Sequence, residues 1–389
     1  MPWLARARGE LAEAGGPTAA LVGRLRKDIS AERAHLVVEQ CELRARAREK
    51  FSGADRMFFT RKGLEQATDE QVAAVKAVRF PVGRVADLCC GIGGDCLALA
   101  ARTPTRGVSE ELRAVELDPA VAILAAANLR ACGCKRAAVV AADAAAFPVG
   151  DCTAWHIDPD RRAEGHRTSR VELYAPPLAA LERLLVENPN AAVKLAPAAE
   201  APLDWREAAE LCWLGSRGEC RHQVAWFGSL GRHPGEHSAT VVDARGGQRT
   251  VFGQPNELIP VARTLGRYLY EPHAAVLAAK IVGTLCRAHG FAAVSAGVAY
   301  LTSDVLIDEP SCETFEVLEA LPLDQKCLRA YFRERNIGRL EIKKRGLPID
   351  PAKLRPAVIG EGDGEATLVL SRVGSAARAI LVHRVNPSP

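Results

Sequence analysis

The chain has 389 residues, of which 48% are hydrophobic and 25% charged, and a net charge of +4. That balance supplies ample apolar side chain for a large core and excludes a disordered chain, while 32 glycines and 23 prolines without a period exclude a collagen-like or low-complexity one. The length predicts two or three domains, and the mild positive charge permits a nucleic-acid partner without demanding one.

Residues 1 to about 80 read as helical. Leu21-Val22-Leu25 and Leu36-Val37-Val38 recur at near-helical spacing among Arg, Glu and Lys. Thr68-Asp69-Glu70-Gln71 before Val72-Ala73-Ala74-Val75 predicts a capped helix start, and Pro81 ends that run. From Val85 short apolar runs alternate with helices. Strands are expected at 85–88, 112–116, 137–141, 153–157 and 191–195, with helices at 95–101, 119–131 and 173–186. This rhythm predicts a parallel, doubly wound α/β sheet. After about residue 210, strands at 211–214, 223–227, 239–242 and 250–252 are expected to extend the sheet in an antiparallel manner. A helix-rich connector is expected over 256–311. The tail from 312 alternates strand, helix, strand, helix, strand, strand, the pattern of a small α+β domain. The expected domains are therefore 1–80, 81–255, 256–311 and 312–389.

The N-terminus has no apolar run of signal-peptide length, and the apolar stretch Ala274 to Leu301 is interrupted by Lys280, Arg287 and His289. No membrane span is expected, and a cytoplasmic location is. Twelve cysteines include no CxxC pair. Cys89-Cys90, Cys132 with Cys134, and Cys212 with Cys220 match no zinc or iron–sulfur spacing, so free thiols and no metal are expected. His222, His233 and His237 form no metal spacing either, and Trp155 and His156, on the fourth strand, read as core.

The strongest chemical signal is Val85-Ala86-Asp87-Leu88-Cys89-Cys90-Gly91-Ile92-Gly93-Gly94-Asp95. Glycines after a strand let a ligand approach the backbone, and the next helix N-terminus favours polar groups. A dinucleotide site would carry GxGxxG and no acid at the strand end, which counts against a nicotinamide oxidoreductase. Glu116 follows the second strand, where an acid can accept from a ribose diol. Asp143 follows the third, where it can accept from an adenine amino group. Three acids at successive strand ends share the carboxyl edge, where open α/β sheets bind ligands. The basic run Lys343-Lys344-Arg345 reads equally as a solvated face or an RNA contact.

DLCCGIGGD, VELDP, AADA and IDPD together resemble the ordered motifs of class I S-adenosylmethionine-dependent methyltransferases over about residues 80–230. The glycine loop and Phe58-Phe59-Thr60-Arg61-Lys62 look similar to the RNA cap guanine-N2, or trimethylguanosine synthase-like, branch. Arg339 to Gly346 and the closing strands look like a THUMP-like domain. The resemblance implies a Rossmann-like methyltransferase sheet with an N-terminal helical region and a C-terminal THUMP-like domain. S-adenosyl-L-methionine is the implied cofactor and RNA the implied partner. It places Asp87, Cys89, Gly91 and Gly93 at the methionine part, Glu116 at the ribose, and Leu117, Asp143 and Ala144 at the adenine. It makes Asp158, Pro159 and Asp160 the catalytic loop and Arg161 and Arg162 substrate contacts. Enzymes that methylate exocyclic amines carry Asn/Asp-Pro-Pro-aromatic there; Asp160 and Arg161 stand here in place of the second proline and the ring. A protein or small-molecule acceptor, or a non-catalytic binding protein on the same fold, stays open, although the last leaves the three acids without a purpose.

Overall fold

The structure is a computed structural model that describes residues 3–7, 9, 19–102, 111–161, 168–243 and 245–385. It divides into two compact units, Met1–Ala209 with Val224–Arg232, and Glu210–Gln223 with His233–Pro389. No described helix is long and apolar enough to cross a membrane.

The first unit opens with helices α1 (Ala19–Leu25), α2 (Ala31–Ala47), α3 (Arg61–Gln66) and α4 (Glu70–Ala77). Short polar side chains start three of them. Ser30 accepts from Arg33 N, Thr60 from Gly63 N, and Asp69 from Val72 N, each filling an orphan donor of a first turn. Leu43, Phe51, Met57, Phe59 and Leu64 bury one another together with Ile92 of the glycine loop. At about 1.5–3 kcal/mol per buried large side chain, that cluster pins the loop to the helices. Gly63 permits the approach, because a Cβ there would lie 2.6 Å from Ile92 Cγ2.

Strands β1 (Arg84–Leu88), β2 (Glu111–Glu116), β3 (Ala137–Ala141), β4 (Ala154–Ile157) and β5 (Ala191–Leu195) lie in the order β3-β2-β1-β4-β5, all parallel. The order reverses between β1 and β4, which places a crevice at the carboxyl ends of those two strands. Helix α5 (Gly94–Ala100) follows β1, and α6 (Pro119–Ala131) follows β2. Pro119 opens α6 where the helix is expected to begin, and Asp118 caps it. Helix α7 (Leu178–Glu187) starts five residues later than expected. Pro176 and Pro177 supply no backbone N–H and hold the residues before them extended, so Val171–Leu173 forms only a single 3₁₀ turn. Helix α8 (Leu203–Ala208) was not anticipated. The end of β7 (Glu219–Trp226) returns to this unit, and Phe227 N donates to Ala191 O at 2.8 Å.

In the second unit β6 (Glu210–Ser216) pairs with β8 (His237–Val242) in parallel, against the antiparallel expectation, and β8 pairs antiparallel with β9 (Gln248–Gly253). The chain from β6 to β8 passes through β7, so two strands separated by a third in sequence run the same way. The expected helical connector carries helices α9 (Ala274–Ala278) and α10 (Val282–His289), and also β10 (Tyr268–Pro272), β11 (Ala292–Ala293) and β12 (Leu301–Ser303). These join β13 (Cys312–Pro322), β14 (Ile337–Lys344), β15 (Gly364–Val373) and β16 (Ala376–Arg384) in one sheet, order β11-β12-β10-β13-β16-β15-β14. Helices α11 (Gln325–Glu334) and α12 (Pro351–Val358) bury Leu328, Phe332, Leu354 and Val358 against Leu340, Leu368, Leu370 and Leu381. The alternate residues Val369, Ile380 and Val382 pack with Phe315 and Tyr300 on the other face.

In a flat sheet β14 would lie about 19 Å from β10, four strand spacings away. Yet Lys343 Nζ on β14 reaches Glu271 on β10 at 2.8 Å and Glu313 on β13 at 2.6 Å. The sheet therefore curls. Burial opposes the charge of Lys343, but the two glutamates outweigh it and raise the ammonium above its ordinary value. Arg345 pairs with Glu271 at 2.9 Å, and Arg384 with Glu313 and Glu341. Lys343 and Arg345 thus hold the sheet closed, and only Lys344 of the basic run is exposed.

Candidate active site

Strand register assembles the carboxyl edge. Leu88 is level with Val115 and Ile157, and Glu116 with Ala141. The residues that follow must then emerge side by side. Hydrogen bonds tie the ends: Cys90 N to Val115 O at 3.0 Å, Ala142 N to Glu116 O at 3.0 Å, and Asp158 N to Leu88 O at 3.2 Å.

The glycine loop turns through three left-handed residues, Cys89 (φ 56°), Gly91 (φ 56°) and Gly93 (φ 89°). At Cys89 this costs about 1–2 kcal/mol, since its Cβ crowds the next carbonyl. Burial first, then the carboxylates of Asp158, Glu116 and Asp87, push the Cys89 thiol well above its ordinary value. It stays protonated and is no nucleophile. A Cβ on Gly91 would meet nothing within 4 Å, so the backbone there faces open space.

Glu116 accepts from Gly91 N at 2.9 Å through one oxygen and from Asp118 N at 3.1 Å through the other. Each oxygen keeps a lone pair. Leu117 beside it is 70% exposed, a bare apolar side chain on the edge. Asp143 is exposed and accepts from Ala145 N at 2.8 Å, while Ala144 is buried. Asp158 is partly exposed, Pro159 is buried, and Asp160 is half-buried with Lys62 Nζ 3.5 Å from its Oδ2. Arg161 is half-buried on the same loop. Arg162 lies outside the described residues.

Asp87 stands apart from this edge. Its carboxylate is wholly buried, with one oxygen 2.7 Å from His156 Nδ1 and the other accepting from Cys96 Sγ at 2.9 Å. It begins a buried polar chain absent from the sequence-based site. His156 Nε2 lies 3.2 Å from Lys76 Nζ, and Lys76 pairs with Asp95 at 2.6 Å. An ammonium can only donate, so Nε2 accepts and the Nδ1 proton goes to Asp87. Asp95 accepts from Thr68 Oγ1 at 2.8 Å, Thr68 accepts from Lys194 Nζ at 3.0 Å, and Lys194 pairs with Asp158. Burial alone would raise the Asp95 carboxyl, but the ammonium groups of Lys76 and Lys194 outweigh it and hold it well below the carboxylate range. One signal for this chain was present: Lys194 is the lone cation in a fully buried apolar strand, a placement that demands a partner. Among the described residues no group of three or more His, Cys, Asp or Glu side chains could hold a metal ion, and all twelve cysteines are free.

The chain is 30% identical over 357 residues to an uncharacterized S-adenosylmethionine-dependent methyltransferase of Mycobacterium tuberculosis strain H37Rv, covering 88% of this chain and 94% of the relative. It matches the protein of the same description from strain CDC 1551 equally. The chain belongs to the S-adenosylmethionine-dependent methyltransferases. Residues 312–384 of this methyltransferase match the THUMP domain-like family. The crystal structure of a protein assigned as a methyltransferase, from Porphyromonas gingivalis W83, shares its fold with a TM-score of 0.75 at 21% identity, covering 92% of each chain.

The methyltransferase's edge fits its cofactor. S-adenosylmethionine is a cation bearing a ribose diol and a flat base. The edge offers acids, spare acceptor lone pairs on Glu116, an open backbone at Gly91 and an exposed apolar wall at Leu117.

Proposed function

We propose that this methyltransferase modifies RNA, with an exocyclic amino group of guanine as the acceptor and the THUMP-like unit as the docking module. When bound, S-adenosylmethionine supplies a methyl group on a positively charged sulfur. Glu116 would hold the ribose hydroxyls, Leu117, Asp143 and Ala144 the adenine, and the Cys89–Gly93 backbone the methionine part. Asp158 is the proton acceptor. Its Oδ2 is held by Lys194, and its Oδ1 has no protein partner among the described residues. Oδ1 would orient an N–H of the acceptor and take up its proton. The guanidinium plane of Arg161 would stack on the base where related enzymes use a ring.

The observation that carries the RNA reading is a stripe on α11. Lys326, Arg329 and Arg333 are exposed at i, i+3 and i+7, and among the described residues none of them pairs with an acid. They span about 10 Å along one side of the helix. Such cations can track a phosphate backbone, whereas Lys343 and Arg345 are already neutralised. Replacing Lys326, Arg329 and Arg333 with Ala should flatten the salt dependence of RNA binding by about 0.7–0.9 log unit per lost phosphate contact. An unaltered slope in a filter-binding titration would remove the stripe from the interface.

A second prediction concerns the cofactor. Glu116→Ala removes charge-assisted hydrogen bonds to the ribose, so calorimetry should show S-adenosylmethionine binding at least ten-fold weaker in a folded protein. Unchanged affinity would place the ribose elsewhere. The function itself is tested by incubating the protein with methyl-labelled S-adenosylmethionine and separate RNA, protein and small-molecule fractions of a cell extract. Label should enter RNA and be recovered in methylated guanosine after nuclease digestion. Label in either other fraction alone would overturn the RNA assignment.

A further inference from the structure

We propose that Lys194 is a positioning residue for methyl transfer, acting through Asp158; the inference rests on the role given to Asp158 above. Lys194 is the fourth residue of β5, every residue of which is buried, and its own side chain is 5% exposed. A buried ammonium is costly without close partners, so its geometry is set by those it has. There are two. Thr68 Oγ1 lies 3.0 Å behind it, and Asp158 Oδ2 lies in front.

Thr68 is itself fixed. Its single proton goes to Asp95 Oδ2 at 2.8 Å, so its oxygen must accept from Lys194. Asp95 is the second residue of α5 and is gripped by Lys76 at 2.6 Å. Lys194 is therefore anchored from β5, from the residue before the α4 cap, and from the glycine-loop helix. Asp158 has no such frame. It follows the end of β4, and among the described residues the hydrogen-bonding partner of its side chain is Lys194. Lys194 thus selects the Asp158 rotamer and leaves Oδ1 without a partner among the described residues.

The test compares Lys194→Met, Asp158→Ala and the double variant in the full chain. Transfer of labelled methyl to total cellular RNA is measured, with calorimetry of S-adenosylmethionine binding alongside. Lys194→Met should lower kcat at least ten-fold and leave cofactor affinity within about two-fold. If Lys194 works through Asp158, the double variant is no slower than Asp158→Ala alone. Lys194→Arg should recover part of the rate. A wild-type rate in Lys194→Met, or losses that multiply in the double variant, would overturn the proposal while leaving the proposed function intact.

Should Lys194→Met not fold, Thr68→Val takes its place, since it removes only the rear hydroxyl. It should slow transfer several-fold, and an undiminished rate there sinks the idea. If the wild type labels no fraction, the proposed function fails. A crystal structure of Lys194→Met, or of Thr68→Val in its stead, still decides the positioning claim: an Asp158 carboxylate in the wild-type orientation refutes it, and a rotated one supports it.

Discussion

Asp158→Ala is expected to lower methyl transfer by about 10²-fold or more, the usual worth of a positioned proton acceptor, with S-adenosylmethionine affinity nearly unchanged. The carboxylate sits at the end of β4, its backbone N–H tied to Leu88 O at 3.2 Å, level with the glycine loop. One oxygen is occupied by Lys194, and among the described residues the other has no partner. An interaction made as the proton moves affects kcat and leaves the binding of the methyl donor alone. Asp160→Ala is the comparison. Asp160 exchanges two backbone hydrogen bonds with Ala175, at 2.8 and 3.0 Å, which survive the substitution. Its carboxylate faces exposed Lys62 at 3.5 Å. Asp160→Ala should therefore cost less than ten-fold. If it proves the more damaging change in a single-turnover assay, the proton acceptor lies at 160.

Lys76→Met should destabilise the fold by about 3–5 kcal/mol, because it strands the Asp95 carboxylate in the interior. Lys76 is 2% exposed and Asp95 9%, so water cannot replace the lost partner. Urea unfolding at neutral pH measures the loss. The pH dependence follows from the sign of the Asp95 shift. A carboxyl held below its ordinary value in the fold contributes stability that is fully present above the unfolded value, near pH 4, and is lost as pH falls below it. In Lys76→Met the largest cause of that depression is gone, so the loss of stability below about pH 4 should be shallower than in the wild type. Parallel acid curves would mean that Asp95 is held by other groups. Cofactor binding should weaken with stability here, since α4 and the glycine loop share this ion pair.

Local chemistry determined much of the chain. Asp118-Pro119 sets the start of α6, because the acid caps and the proline fits only the first turn. Runs of Val, Ala and Leu ending in acids located the strand ends of the parallel sheet. Parallel pairing of neighbouring strands then puts their carboxyl ends on one edge, which is why that edge is legible in the sequence. The strands of 268–303 were hidden, since β10 and β12 are short and owe their conformation to β13 and to each other.

Only the tertiary structure decided which way the charges face. Asp87 is at the end of a strand like Glu116, yet it turns inward, because His156 on the neighbouring β4 and Cys96 on α5 offer it partners there. Lys194 and Thr68 are 126 residues apart and meet only when α4 is laid against the sheet. Lys343 and Arg345 read as a basic run, but the curl of the sheet brings Glu271 and Glu313 onto them from strands that sequence order does not place nearby. Charge is a local property of the sequence. Its function depends on what lies within about 3 Å of it, and long-range packing sets those neighbours.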